Sequence, residues 1–168
     1  SRVVRLFSTA VVGGSPHVDY VAALGLSRDR VSVGYDVVDN DYFSGQSDTA
    51  RAAATTLRQQ HSLPANYFLA SNRFIEKKNL HRLLEAYAAY VAQAGASAWC
   101  LVMLGDGALK GALMAQAGRL GLTDKVLFPG FKQYPELPIY YGLAEVYIQA
   151  STTEQWGLVV NEAMASGL

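Results

Sequence analysis

The chain has little cysteine, no surplus of either charge and no long apolar run, and each shortage removes a class of protein. Cys100 is the only cysteine among 168 residues, so neither a disulfide framework nor a thiolate metal site is available. A reducing, cytosolic compartment is the simplest expectation. Lys plus Arg and Asp plus Glu number 14 each. With charges balanced, no global field recruits nucleic acid or an anionic membrane, and an anionic ligand has to be held by a few local side chains. No apolar stretch approaches the roughly 20 residues that span a bilayer, and Ser1-Arg2-Val3-Val4-Arg5 lacks the pattern of a signal peptide. These absences predict a cytoplasmic protein without a transmembrane segment, peripheral to a membrane at most.

Familiar ligand motifs are missing too. His17, His61 and His81 are scattered, with no second ligand at metal spacing. "DVVDND" at residues 36–41 lacks the glycine and late glutamate of a calcium loop, so it reads as turn chemistry and no metal is expected. Gly105-Asp106-Gly107 lacks the third glycine of a dinucleotide fingerprint, and no Walker A sequence occurs. Tyrosine is abundant at 10, but with neutral charge Tyr87, Tyr90, Tyr140 and Tyr141 read as packing residues rather than base-stacking ones.

What is present is 51% hydrophobic composition, enough to bury one good core, arranged as short β-forming runs that alternate with helical segments. That alternation is the mark of a parallel sheet with crossover helices. A strand is predicted at Asn66–Ser71, then a helix whose face is Leu80, Leu83, Leu84, Tyr87, Ala88 and Val91, ending at Gly95. A strand at Ala98–Leu104 turns through Gly105-Asp106-Gly107 into a helix reaching about Leu120. Lys125–Phe128 is a third strand, Pro135–Leu143 an interrupted helix, Glu145–Gln149 a fourth strand, and a last loop and helix follow. The fold class expected is α/β, a Rossmann-like doubly wound parallel sheet.

Upstream, Thr9–Val12 and Arg30–Gly34 read as strands, with Ser15-Pro16 as N-cap and first-turn proline of a helix ending near Gly25. Ser47 is the expected cap of a helix over Asp48–His61, with Pro64 closing the segment. Residues 1–35 are expected to be the tail of another α/β domain, 36–64 a connector, and 65–168 the main domain. A helix ending at Gly167 in a βα series should feed another strand, so the chain is expected to be part of a longer protein.

The candidate chemistry sits in two loops. "SNRFIEKKNL", residues 71–80, follows the first main strand at the carboxyl edge of the sheet, where open α/β folds bind ligands. Arg73 and Lys78 could converge there near a helix N-terminus that already favours an anion, and a diphosphate is the natural guest. "STTEQWGLVVNEAMASGL", residues 151–168, carries Glu154 in a loop and Glu162 about one turn inside the next helix. A carboxylate accepts two hydrogen bonds from adjacent hydroxyls, so two glutamates suit two sugar diols. Gly157 lets the backbone between them come close to a ligand, and the first N–H groups of the helix, at Gly157, Leu158 and Val159, are open donors. Taken singly, each pair has an ordinary reading, as solvated loop charges or as acids favoured near a helix start.

Taken together, "RF…KKNL", "LVMLGDGAL", "VLFPGF" and "STTEQWGLVVNEAMASGL" resemble the carboxyl-terminal domain of the retaining GT-B glycosyltransferases of family 4, or group 1, part of a two-domain enzyme. "VSVGYDVVDNDYF" resembles, more weakly, its interdomain segment. The resemblance implies a nucleotide-diphosphate-sugar donor site with no metal cofactor. Arg73 and Lys78 would bind the diphosphate and stabilise the leaving group. Glu154 would hold donor-sugar hydroxyls and Glu162 the nucleotide ribose. Gly157 and Leu158 would offer backbone N–H groups, while Gly105, Gly107 and Phe131 would wall the sugar and base. Gln155-Trp156 departs from the commonest pattern and leaves the donor sugar open.

The implied activity is hexosyl transfer, with retention, to a sugar, lipid or polysaccharide acceptor. The missing amino-terminal domain would supply the acceptor site, so these residues alone should bind donor at micromolar to millimolar strength without transfer. The alternatives are a non-catalytic nucleotide-binding or interaction module of the same fold, and a sugar-nucleotide epimerase or phosphorylase of the same architecture.

Overall fold

The computed structural model of the chain describes residues 2–34 and 36–168. Ser1 and Tyr35, which bound the amino-terminal segment read from the sequence, lie outside the described residues. The chain divides into two compact units, one ending at Val38 and the other running from Asp39 to Leu168.

The smaller unit is a βαβ element: β1 (Ala10–Val12), α1 (Ser15–Ala23) and β2 (Val31–Val33), with β1 and β2 paired in parallel, Ala10 opposite Val31. The cap of α1 differs from expectation. Ser15 is the first helical residue and the N-cap is Gly14, extended and without a side-chain cap. Pro16 suits the first turn in either register, since its missing N–H would have no helical partner there.

The larger unit opens with α2 (Asn40–Ala52) and α3 (Ala54–Gln60). Ser47 is not a cap. Asp39 caps α2 by accepting the Tyr42 N–H at 2.9 Å, and a carboxylate beside a helix N-terminus is favoured by both the free donors and the dipole. Ser47 lies in mid-helix on the face shared by Phe43 and Ala50, fully buried, and donates its hydroxyl to the Pro138 carbonyl at 3.3 Å. Close approach there depends on Gly142: a Cβ at that position would sit 2.8 Å from the Ser47 carbonyl oxygen. At the far end of α2, the Arg51 guanidinium donates to the Ser166 carbonyl.

The sheet follows: β3 (Tyr67–Ser71), α4 (Leu80–Ala94), β4 (Cys100–Leu104), α5 (Lys110–Arg119), β5 (Val126–Gly130), α6 (Leu137–Gly142), β6 (Val146–Tyr147) and α7 (Leu158–Ala165). The four strands are parallel in the order β5-β4-β3-β6. Alternation along the strands feeds two layers. Ala70, Leu101 and Met103 join Leu80, Leu83, Leu84 and Tyr87 of α4 and Leu113 and Ala117 of α5 in one apolar core. The opposite face holds Tyr67, whose hydroxyl donates to the Tyr140 carbonyl of α6 at 2.7 Å. The doubly wound α/β class expected from the sequence is the observed one.

The last strand is shorter than Glu145–Gln149. Pairing with β3 is flanked by bonds from Glu145 N–H to the Tyr67 carbonyl (3.1 Å) and from Ile148 N–H to the Leu69 carbonyl (2.8 Å). Beyond Ile148 the backbone leaves the ladder, and the Ala150 carbonyl instead accepts the Asn79 amide at 3.1 Å.

The topology positions a ligand site. From β3 the chain winds outward through β4 and β5, then returns to pair β6 on the other side of β3. Such a reversal opens a crevice at the carboxyl ends of the strands, because the crossover connections diverge there to opposite faces.

Candidate functional site

The crevice is a cleft of about 330 Å³ lined by residues from the ends of β3 and β4, from the turn after β5, and from α7. That volume is within the usual range for a small-molecule site. Arg73, Lys78, Gly105, Phe131 and Glu162 line it. Lys78 is only 8% exposed, and its ammonium is 2.5 Å from Glu154 Oε1. Glu154 therefore adjoins the cleft through Lys78. Arg73 makes no ion pair among the described residues, and it is the lining cation left for an anionic ligand.

Two loops are stitched backbone to backbone to form one wall. Phe74 N–H donates to the Asp106 carbonyl at 2.8 Å, and Leu109 N–H to the Phe74 carbonyl at 3.1 Å. Only glycine permits this contact. A Cβ at Gly105 (φ +122) would fall 1.8 Å from the Asn72 carbonyl oxygen, and one at Gly107 (φ +153) would fall 2.6 Å from that of Phe74. Gly105 faces the cleft, whereas Gly107 is spent on the stitch.

On the other side, Gly157 caps α7 in the left-handed region (φ +83), where a side chain would be strained. The N–H groups of Gly157, Leu158 and Val159 precede the first residue that can bond within the helix, and Val159 lines the cleft. Gln155, Trp156, Gly157 and Leu158 are not among the lining residues; Trp156 is 40% exposed. Phe131, 67% exposed, stands at the cleft with Lys132 beside it.

The two glutamates are in opposite electrostatic states. Burial pushes the Glu154 carboxyl up, but the hydrogen bonds from Lys78, Ser151 and Gln149 outweigh it and hold the group below its ordinary value. Glu162 is pushed up by burial, and the Tyr141 hydroxyl, donating at 2.8 Å, offsets only part of that. A carboxyl raised on folding holds its proton longer in the native chain than in the unfolded one. Stability therefore falls as pH rises from the ordinary value through the raised one. Glu162→Gln is expected to be more stable than wild type at pH 7, with the difference disappearing in acid. Thermal melts at pH 7 and pH 3.5 check this.

Several residues in and behind the cleft escaped the sequence. Tyr141 supports Glu162, and Gln149 and Ser151 support Glu154, yet apolar periodicity reports only the bulk of such side chains. Asp106 and Lys132 also line the cleft, each paired with a neighbour: Asp106 with Lys110 at 2.8 Å, Lys132 with Glu136 at 3.6 Å. Asn72 lines the wall at 7% exposure, and its buried amide has no partner among the described residues. No group of His, Cys, Asp and Glu among the described residues is placed to hold a metal ion, and no described helix is long and apolar enough to cross a membrane.

The sequence profile described as "Glycosyl transferases group 1" matches residues 54–168. The chain belongs to this glycosyltransferase family. Among curated relatives, alpha-monoglucosyldiacylglycerol synthase of Streptococcus pneumoniae is 35% identical over 99 residues, covering 59% of this chain and 22% of the relative. Mannosylfructose-phosphate synthase of Agrobacterium fabrum is 28% identical over 152 residues, covering 85% of this chain and 32% of the relative. The chain thus spans about a fifth to a third of the length of these relatives. Among solved structures, Anabaena Alr3699/HepE in complex with UDP matches with a TM-score of 0.71 at 23% identity, over 95% of this chain and 43% of that one. The same Anabaena protein matches in complex with UDP and glucose and with UDP-glucose. At that identity the likeness establishes the fold, an α/β fold shared with glycosyltransferases of this family.

Proposed function

We propose that this chain is the donor-binding part of a retaining hexosyltransferase, which moves a sugar from a nucleotide diphosphate to an acceptor. The observation that carries the reading is the cleft itself: one unpaired cation, Arg73, and a paired one, Lys78, stand with the carboxylates of Glu154 and Glu162 at one end of the sheet. Cations alone would suit a bare phosphate. Cations interleaved with carboxylates suit a ligand that carries both a diphosphate and vicinal hydroxyls.

In this reading Arg73 and Lys78 hold the diphosphate and take up charge on the leaving group as the anomeric bond breaks. Glu154 holds hydroxyls of the sugar, and Glu162 those of the ribose. Phe131, Gln155, Trp156, Gly157 and Leu158 are proposed contacts around them. The transition state has oxocarbenium character, transfer retains the anomeric configuration, and no metal is needed for the charge. Residues 1–35 then belong to an amino-terminal domain that brings the sugar, lipid or polysaccharide acceptor, residues 36–64 connect it, and the reaction takes place in the cytoplasm. The support is family membership together with the UDP and UDP-glucose complexes of the Anabaena protein.

The test is titration calorimetry with UDP-glucose, ADP-glucose and GDP-mannose, each with and without EDTA. At least one should bind at micromolar to millimolar strength, about −4 to −8 kcal/mol, unaffected by the chelator. Arg73→Ala should weaken that binding at least about tenfold, the share of one charge-assisted contact. No heat from any of the three, or full affinity in Arg73→Ala, contradicts the reading.

A further inference from the structure

We propose that Gln149 is a positioning residue for Glu154, and that Tyr147 fixes which way its amide faces. The proposal rests on reading Glu154 as a donor contact. Gln149 leaves the end of β6 where the ladder stops and reaches the loop that carries Glu154. Its Nε2 donates to Glu154 Oε1 and, at 2.9 Å, to the Ser151 hydroxyl. Its Oε1 accepts the Tyr147 hydroxyl at 2.8 Å. Every donor and one acceptor lone pair of the amide are in use. Turned over, the same amide would set its carbonyl oxygen against a carboxylate and leave the Tyr147 hydroxyl only the more distant Ser71 carbonyl, at 3.4 Å. The orientation is therefore decided by chemistry.

The groups that face Glu154 are Lys78 from the turn before α4, Ser151 and Gln149 from its own loop, and Tyr147 from β6. Lys78 supplies a point charge that is satisfied by many carboxylate orientations. Gln149 supplies a planar donor that is satisfied by few. Burial raises the Tyr147 hydroxyl above its ordinary range, so it stays a neutral donor across the pH range of interest. Neither Gln149 nor Tyr147 lines the cleft; each acts through Glu154.

The experiment compares the wild-type chain with Gln149→Leu and Tyr147→Phe by two readings. One is the titration of the Glu154 carboxyl followed by carbon-13 NMR without ligand. The other is UDP-glucose affinity by calorimetry from pH 4.5 to 7.5. Loss of the amide donor in Gln149→Leu should move the Glu154 midpoint upward by at least about half a pH unit, and Tyr147→Phe, which leaves the amide free to turn, should move it the same way by less. The acid limb of UDP-glucose affinity should move upward with it, weakening binding by up to about threefold in acid and without effect at pH 7.5. A merely structural role for Gln149 would not move the midpoint, so coincident titrations overturn the proposal. A moved midpoint in chains that give no heat with UDP-glucose, wild type included, sustains the positioning role and sinks the donor reading instead. If Gln149→Leu does not fold, Gln149→Asn, whose amide is one methylene too short to reach, is read in the same way.

Discussion

The Lys78→Met chain is expected to lose about 2–3 kcal/mol of stability at neutral pH, and to bind a nucleotide-diphosphate sugar at least about 100-fold more weakly. Lys78 and Glu154 come from opposite ends of the sheet's sequence and meet at 2.5 Å, with side chains 10% and 25% exposed. Removing one partner of a buried pair costs about 3–5 kcal/mol because the other charge is left without compensation, and the partial exposure of Glu154 lowers that figure. The sign with pH follows from the carboxyl. Held below its ordinary value in the native chain, Glu154 contributes stability that is fully present above that ordinary value and disappears as pH falls through the lower one. The deficit of Lys78→Met should accordingly be largest at pH 7 and shrink in acid. Melting curves at several pH values check this, and the double variant Lys78→Met/Glu154→Gln separates the two effects. It should regain most of the stability, since no orphan charge remains, and none of the affinity. A single variant as stable as wild type would mean that water already screens the pair.

Gly105→Ala is expected to cost at least about 4 kcal/mol, enough to prevent folding of a marginally stable domain. The added methyl would meet the Asn72 carbonyl oxygen at 1.8 Å, a contact with backbone that no rotamer change relieves, and its φ of +122 is itself strained for an L-residue. Gly111→Ala and Gly118→Ala provide the contrast. Both lie in α5, with nothing within 4 Å of the new atom, and each should stabilise by up to about 1 kcal/mol. Chemical denaturation of the three variants side by side tests the claim. Near-native stability in Gly105→Ala would show that the loops after β3 and β4 can part without loss.

The fold was legible wherever hydrophobic pattern and punctuation agreed. "NYFLAS" and "WCLVML" are buried on both sides, so composition alone marked them as strands, and the face of α4 was written in Leu80, Leu83, Leu84 and Tyr87. Errors arose where two signals competed. Ser47-Asp48 carries the signature of a helix start, but Asp39 caps α2 eight residues earlier. The face Phe43, Ser47, Ala50 makes sense only against Pro138 and Gly142, which sequence distance conceals. At the site, charged residues in loops could be named because charge needs a reason, and the structure gathers Arg73, Lys78 and Glu162 at one cleft, with Glu154 bonded to Lys78. The neutral supports, Tyr141 and Gln149, could not be named. A hydroxyl or an amide acquires its role from the partner it meets: Tyr141 meets Glu162 from 21 residues away, and Gln149 meets Glu154 only because the chain leaves the ladder after β6.

The stitched loops have a consequence for how such a cleft can diversify. Main chain that rests on main chain through glycine has no side chain to exchange, so at Gly105 and Gly107 that bank of the crevice is closed to substitution. New preferences for what enters the crevice have to be written on the facing bank, at Phe131, Lys132, Leu137 and Val159, and a library aimed at altered selectivity is best confined to those positions.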